Sequence, residues 1–276
     1  MLTRTIPRTG EPLPVIGLGT WHNTWHAFGE GRAGSERRAL AELLGLFFRE
    51  GGRVVDSSPA HLGAEGALGG LLRDIDGMVS PFVASKLRVS GQREGQVQLA
   101  AVLDRLGRVD LMQIHNLLDA ATHTRTLEGW KQAGRVRYVG ITHYTSSAYR
   151  EVERWLKGGN YDFLQINYSL DEPEAAERLL PLAREKGAAV IVNRPFGKGS
   201  MFRRTRGKPL PGWARELGIA SWAQYFLKWI IAHPAVTCAI PGTSKPEHVK
   251  DNLGAAHGAL PDSATRDRMA KYFDAL

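Results

Sequence analysis

Short apolar runs rich in Val and Ile alternate along this chain with longer segments whose apolar residues recur every three or four positions. The first pattern reads as buried strand and the second as amphipathic helix. A run over 13–21 precedes a helix predicted over Glu36–Glu50, where Ala39, Leu40, Leu43, Leu44 and Phe47 share one face. Val54–Asp56 then precedes a helix over 64–72, Phe82–Lys86 one over 92–106, and Val109–His115 one over 126–133. Tyr138–Thr142 precedes 146–157, Phe163–Asn167 precedes 174–186, Ala188–Asn193 precedes 221–232, and Thr237–Ile240 precedes 246–253.

Eight strand-then-helix units without a linker-like break predict one domain over 1–276, an α/β chain closed into a (β/α)8 TIM barrel. Right-handed crossovers lay each helix outside such a sheet. A doubly wound open sheet fits less well, because no strand-to-helix turn carries G-x-G-x-x-G; Gly17-Leu18-Gly19 is only a fragment of it. The long irregular stretches Trp21–Gly34 and Phe196–Trp213 both follow strands and are expected over the barrel mouth, where substrates bind.

Polar residues that end apolar runs are the candidates for chemistry: Thr20, Asp56, Lys86, His115, Asn116, Thr142, His143, Gln165, Asn167, Asn193, Arg194 and the run Gly242-Thr243-Ser244-Lys245. Lys86 is the hardest to explain by packing, since a buried ammonium is costly without a partner. Asp56 on the adjacent strand is a natural one, and the pair would fix a cation able to acidify a neighbouring group. Taken alone, Asp56 reads equally well as a helix cap, and a single His such as His115 is more often structural than catalytic. Gly242 to Pro246 opens the last predicted helix, where N–H groups, hydroxyls and the helix dipole suit a phosphate; a plain N-cap by Thr243 or Ser244 is the other reading.

The 276 residues are 43% hydrophobic with a formal charge of +8, enough for a sizeable core and favourable to an anionic ligand. Basic and acidic residues are interspersed, with no basic run interleaved with aromatics, so no nucleic-acid partner is expected. Cys238, the one cysteine, excludes an intramolecular disulfide and sits in an apolar run as a core residue. With no secretory signal pattern and no segment of membrane-span length, a cytoplasmic protein off the membrane is expected, monomeric by default. The sequon Asn167-Tyr168-Ser169 is discounted because it ends a buried strand. Trp21, Trp25 and Phe28 either line a substrate pocket or pack under the barrel rim; His22 and His26 belong to the same wall.

Six pieces in order carry a resemblance: Gly-Leu-Gly-Thr-Trp at 17–21, Asp-Ser-Ser-Pro at 56–59, Ala-Ser-Lys at 84–86, Met-Gln-Ile-His-Asn at 112–116, Gln-Ile-Asn-Tyr-Ser at 165–169 and Ile-Pro-Gly-Thr-Ser-Lys-Pro-Glu-His-Val-Lys-Asp-Asn-Leu at 240–253. Together they resemble the aldo-keto reductases over nearly the whole chain. The resemblance implies a barrel that binds NADP(H), with NAD(H) as the alternative, and reduces a small carbonyl substrate to an alcohol by hydride transfer. It sets Asp56, Lys86 and His115 on three of the family's four catalytic positions. Gly19, Thr20 and Asp56 match positions beside the nicotinamide ribose, and Thr142, His143 and Gln165 those holding the carboxamide. Asn193, Arg194, Pro195 and Phe196 take the place of the usual ring-stacking segment. Gly242, Thr243, Ser244, Lys245, His248 and Asn252 resemble the adenosine-phosphate site, with Lys245 as the charge for a 2′-phosphate.

The fourth catalytic position is a tyrosine in family members resembling this one, and this chain has His61 there. A phenol beside an ammonium is an adequate acid, whereas an imidazole beside Lys86 is favoured in its neutral form and donates protons poorly. Losing a positioned acid commonly slows a reaction by about 10²–10⁴-fold, so weak or atypical reduction is expected, with His61 or His115 as substitute acid. A cofactor-binding or sensor protein on the same fold is the alternative. A third reading takes Asp56, His61, His115 and His143 as ligands of a divalent metal in a barrel hydrolase; the charge of Lys86 opposes it, and no metal is expected.

Overall fold

The structure is a computed structural model that describes residues 1–21, 34–60, 63–75 and 77–276. The chain opens with an antiparallel hairpin, β1 (Thr3–Thr5) and β2 (Pro12–Pro14). Parallel strands follow: β3 (Leu18–Gly19), β4 (Val54–Asp56), β5 (Phe82–Leu87), β6 (Leu111–His115), β7 (Tyr138–Thr142), β8 (Phe163–Asn167), β9 (Ala189–Asn193) and β10 (Val236–Ala239). They lie side by side in chain order, and the two ends meet. Ile16 bridges to Ala239 and Gly19 to Gly242, with Gly17 N–H donating to Ala239 O at 2.8 Å and Ala239 N–H to Val15 O at 2.9 Å. The sheet is therefore closed, and the fold is the (β/α)8 barrel rather than an open doubly wound sheet.

The helices are α1 (Ser35–Arg49), α2 (Ala64–Asp74), α3 (Gln92–Leu106), α4 (Ala120–Gln132), α5 (Tyr149–Gly158), α6 (Leu179–Glu185), α7 (Ser200–Arg204), α8 (Trp222–Ile231), α9 (Pro246–Gly254) and α10 (Ser263–Asp274). Among the described residues no helix is long and apolar enough to cross a membrane. Both faces of the barrel strands are buried, which is why they read as continuous apolar runs. Val55, Val83, Ile114, Ile141, Leu164 and Val190 face the helix layer. Val54, Phe82, Leu111, Tyr138, Phe163 and Ile191 form a separate core inside the barrel. Ile6 and Leu13 of the hairpin belong to that inner core, so the hairpin plugs the end from which the strands start.

Along the inner ranks the apolar floor gives way to polar groups one pleat further on. Asp56 follows Val54, Lys86 follows Ala84, Gln113 follows Leu111 and Gln165 follows Phe163. Since side chains alternate with period two, these four share one level at the C-terminal ends of the strands.

Five features differ from the sequence expectation. The helix expected from 126 starts at Ala120, preceded by Asn116, Leu117 and Asp119 at φ of 53°, 57° and 49°, a left-handed path that hides the boundary from pattern reading. The helix expected over 174–186 is broken into a short 3-10 turn at Glu174–Ala176 and α6. The hairpin and α10 were outside the expected set. The 196–213 stretch is not a bare loop: it contains α7, and its Phe196 and Phe202 rings pack on Phe226 of α8, with centroids 6.3 and 5.6 Å away.

Candidate functional site

The centre of the polar level is a buried ion pair. Lys86 Nζ donates to Asp56 Oδ2 at 2.6 Å and to Ser57 O at 2.8 Å, with both charged side chains 5% exposed. The other carboxylate oxygen, Asp56 Oδ1, accepts from Gln165 Nε2 at 2.8 Å and, more distantly, from Gln113 Nε2 at 3.5 Å. Thr142 Oγ1 donates to Gln165 Oε1 at 3.1 Å, which orients that amide. With donors on both of its oxygens, the carboxylate holds the Lys86 ammonium in one place. An ammonium has three donors, and two of those on Lys86 are used within the cluster.

His115 ends β6 one strand further on. Burial, reinforced by the charges of Lys86, Arg88 and His143, lowers its pKa to about 4, so the ring is neutral at neutral pH. Its Nδ1 is buried without a hydrogen-bond partner among the described residues, as are Asn116 Oδ1 just after β6 and Asn193 Oδ1 at the end of β9. Gln113 Oε1 and Asn167 Oδ1 are in the same state, and since buried polar groups are normally satisfied, such a gathering at one mouth is a feature of a ligand-binding surface. His143 stacks on Tyr144 at 5.5 Å, and its carbonyl accepts from Asn193 Nδ2 at 3.0 Å. Arg194, at φ 49°, lays its guanidinium 3.9 Å above the Tyr144 ring and donates to Tyr144 O at 2.8 Å.

A second group lies along the seam where β10 meets β3. Gly19 pairs with Asp56 on one side and bridges to Gly242 on the other, so one row of backbone joins the ion pair to the 242–252 segment. A Cβ on Gly19 would stand 3.0 Å from Ile240 O, and one on Gly242 would stand 3.2 Å from Trp21 O; both positions need glycine for close backbone approach. Thr20 is fully buried, with Oγ1 donating to Ser57 Oγ at 3.0 Å. Thr243 Oγ1 contacts His248 Nδ1 at 3.3 Å and accepts from Lys245 N–H at 3.1 Å. Lys245 is the residue before α9, Pro246 is at the first helical position, and Asn252 is buried on α9.

The sequence-derived candidates thus fall into two joined groups. Asp56, Lys86, His115, Thr142, His143, Gln165, Asn193 and Arg194 gather at the mouth; Gly19, Thr20, Gly242, Thr243, Ser244, Lys245, His248 and Asn252 lie along the seam. Phe196 is in neither, since its ring turns outwards to the helix layer, and Pro195 is simply buried. Trp21 is 59% exposed beside the seam. His61, Trp25, Phe28, His22 and His26 lie outside the described residues. Among the described residues no group of three or more His, Cys, Asp or Glu side chains could hold a metal ion. Ser57, Gln113 and Tyr144 were missed; Gln113 stands two residues before His115 on the same rank, a spacing the sequence displays.

A profile of the Aldo/keto reductase family matches residues 15–268. The chain belongs to that family. Among curated relatives, the NADH-specific methylglyoxal reductase of Escherichia coli is 23% identical, over 92% of this chain and 93% of its own length. An aldo-keto reductase from Klebsiella pneumoniae solved with NADPH superposes with a TM-score of 0.80 at 22% identity, covering 99% of this chain and 96% of that one. The glycerol dehydrogenase of Gluconobacter oxydans superposes with a TM-score of 0.74 at 19% identity, covering 99% and 95%. This aldo-keto reductase chain therefore shares a complete barrel with solved members of the family.

Proposed function

We propose that this protein is an NADP(H)-dependent carbonyl reductase of one barrel domain whose acid position is held by His61, so that it turns over slowly on ordinary aldehydes and ketones. The observation that carries this reading is the buried Lys86–Asp56 pair, oriented by Gln165, beside a neutral His115. Such a pair has no packing function that an apolar pair would not serve, and a fixed cation of this kind suits a carbonyl oxygen that gains negative charge. The donors along the Gly19–Gly242 seam and the start of α9 fit the phosphates of a dinucleotide. Thr142, His143, Gln165 and Asn193 offer the amide-type donors and acceptors a carboxamide needs.

NADPH, when bound, supplies the hydride. Lys86 has one N–H beyond those used by Asp56 and Ser57, and this N–H polarises the reacting oxygen. His115, neutral at neutral pH, donates through one ring nitrogen and accepts through the other but has no acidic imidazolium proton to give. Protonation of the product oxygen then falls to His61 or to water, which is the reason for the low rate. The same deficit supports the second reading, a protein that binds NADP(H) and reports on it without turnover.

Titration of the protein with NADPH and NADH by fluorescence, followed by a carbonyl screen read as NADPH oxidation, tests the proposal. Micromolar binding with slow turnover is expected. Absence of binding to either nucleotide overturns it, and tight binding with no turnover on any carbonyl supports the sensor.

A further inference from the structure

The chain that supplies Lys86 runs on past the end of β5 at Leu87. Leu87 is buried in the helix-facing layer and Val89 packs against that same layer, so Arg88 between them is directed to the barrel side, above Lys86. The charge of Arg88 reaches the His115 ring on the adjacent strand. Its backbone N–H donates to Gln98 Oε1 of α3 at 2.6 Å, which ties the main chain at this point to the helix layer.

The basic groups near His115 differ in what they are committed to. Lys86 is bound to Asp56 and Ser57. Arg194 is pinned on Tyr144 by both its ring face and its carbonyl. His143 Nδ1 accepts from Thr145 N–H at 3.2 Å. Of these four groups near His115, Arg88 alone has no side-chain partner among the described residues. Nor does Arg88 belong to the phosphate-binding segment, which lies beyond β10, three strands round the barrel from β5.

We propose that Arg88 is the specificity residue of the substrate site and selects carbonyl compounds that carry a carboxylate, that is, oxo acids. The inference rests on the reductase reading above. A guanidinium fork matches a carboxylate with two parallel hydrogen bonds, and an anchored main chain with an uncommitted head group is suited to capture an incoming anion. With the carboxylate held by Arg88, the carbonyl of a short oxo acid falls between Lys86 and His115. Asp56, the carboxylate beside Lys86, is already paired, so an oxo acid brings the negative charge for Arg88.

The test compares a matched pair of aldehydes, 4-oxobutanoate and butanal, on the NADPH-loaded wild type, Arg88→Gln, Arg88→Lys and, as a remote charge control, Arg154→Gln on α5. NADPH affinity is first measured for each by fluorescence. The wild type is expected to prefer 4-oxobutanoate through a lower KM, by about tenfold or more for a charge-assisted contact. The preference is expected to collapse in Arg88→Gln, return in part in Arg88→Lys and persist in Arg154→Gln. Where turnover is too slow to measure, succinate binding to the NADP+ complex by calorimetry replaces it, with binding to the wild type and loss in Arg88→Gln supporting the proposal. Normal NADPH binding with no preference for the acid, or a preference that Arg88→Gln leaves intact, overturns the inference while leaving the reductase reading in place. Failure of the wild type to bind NADPH overturns both.

Discussion

Lys86 Nζ stands 2.6 Å from Asp56 Oδ2, with both groups withdrawn from water at the end of an otherwise apolar inner rank. Removing one member leaves the other charge buried and uncompensated, at a cost of about 3–5 kcal/mol. Asp56→Asn and Lys86→Met are each expected to destabilise the fold by that order. The double variant is expected to recover part of the loss, because the two sites are in contact and their effects do not add. Chemical denaturation of the three variants measures the coupling, and simple additivity would show that the pair is not the energetic unit described.

How much of this cluster is legible in the sequence follows from what each residue does. Asp56 and Lys86 stand out because a charge closing an apolar run has no packing explanation. Gln113 and Gln165 are less conspicuous, since a neutral amide inside a strand signals nothing until the alternation of inner and outer ranks is known. The short hairpin was missed because three-residue strands bounded by proline carry no period. The α10 helix did have a readable start, as Asp262 accepts from Thr265 N–H at 2.8 Å in a capping arrangement. The identity of the barrel was legible because eight units in order are a long-range pattern. The proposed acid position, His61, follows from the resemblance alone.

His115 is held neutral in the fold with a pKa of about 4, against an ordinary value of 6.5, and His233 is lowered to about 4 by burial beside Arg266 and Arg4. The unfolded chain therefore takes up protons on these rings as pH falls below 6.5, while the folded chain does so only near 4. Stability is full above pH 6.5 and declines between 6.5 and 4. His115→Gln is expected to flatten that decline in a series of melting curves, and the His115 ring nitrogens are expected to keep their neutral NMR shifts at pH 5.5. A His115 titration centred near 6.5 would contradict the environment described.

Gly69 of α2 lies against α3 so closely that a Cβ there would be 1.7 Å from Arg105 O. The obstacle is backbone, which cannot rotate away. Gly69→Ala is expected to push the two helices apart and destabilise the barrel by about 3 kcal/mol or more, at the upper end for overpacking. Gly66→Ala on the same helix, where the added carbon meets nothing within 4 Å, is expected to be neutral or slightly stabilising. Equal melting temperatures for the two variants would refute the packing argument.

Lys245 precedes α9 with an exposed side chain and is the candidate charge for a 2′-phosphate. Lys245→Ala is expected to weaken NADPH binding by about tenfold, as loss of one charge-assisted contact would, and to leave NADH binding unchanged. Fluorescence titration with both nucleotides distinguishes this from a general loss of the site, in which both affinities would fall together.

The central claim is that the barrel holds a working hydride-transfer site limited by the residue at the acid position. Its most direct test is the rate of NADPH oxidation by the wild type and by His61→Tyr, at saturating cofactor and a common carbonyl substrate. The account predicts that the tyrosine variant is faster by about 10²-fold or more, with NADPH affinity little changed. A wild type that already matches the tyrosine variant, or a variant that binds NADPH and gains nothing, would contradict it.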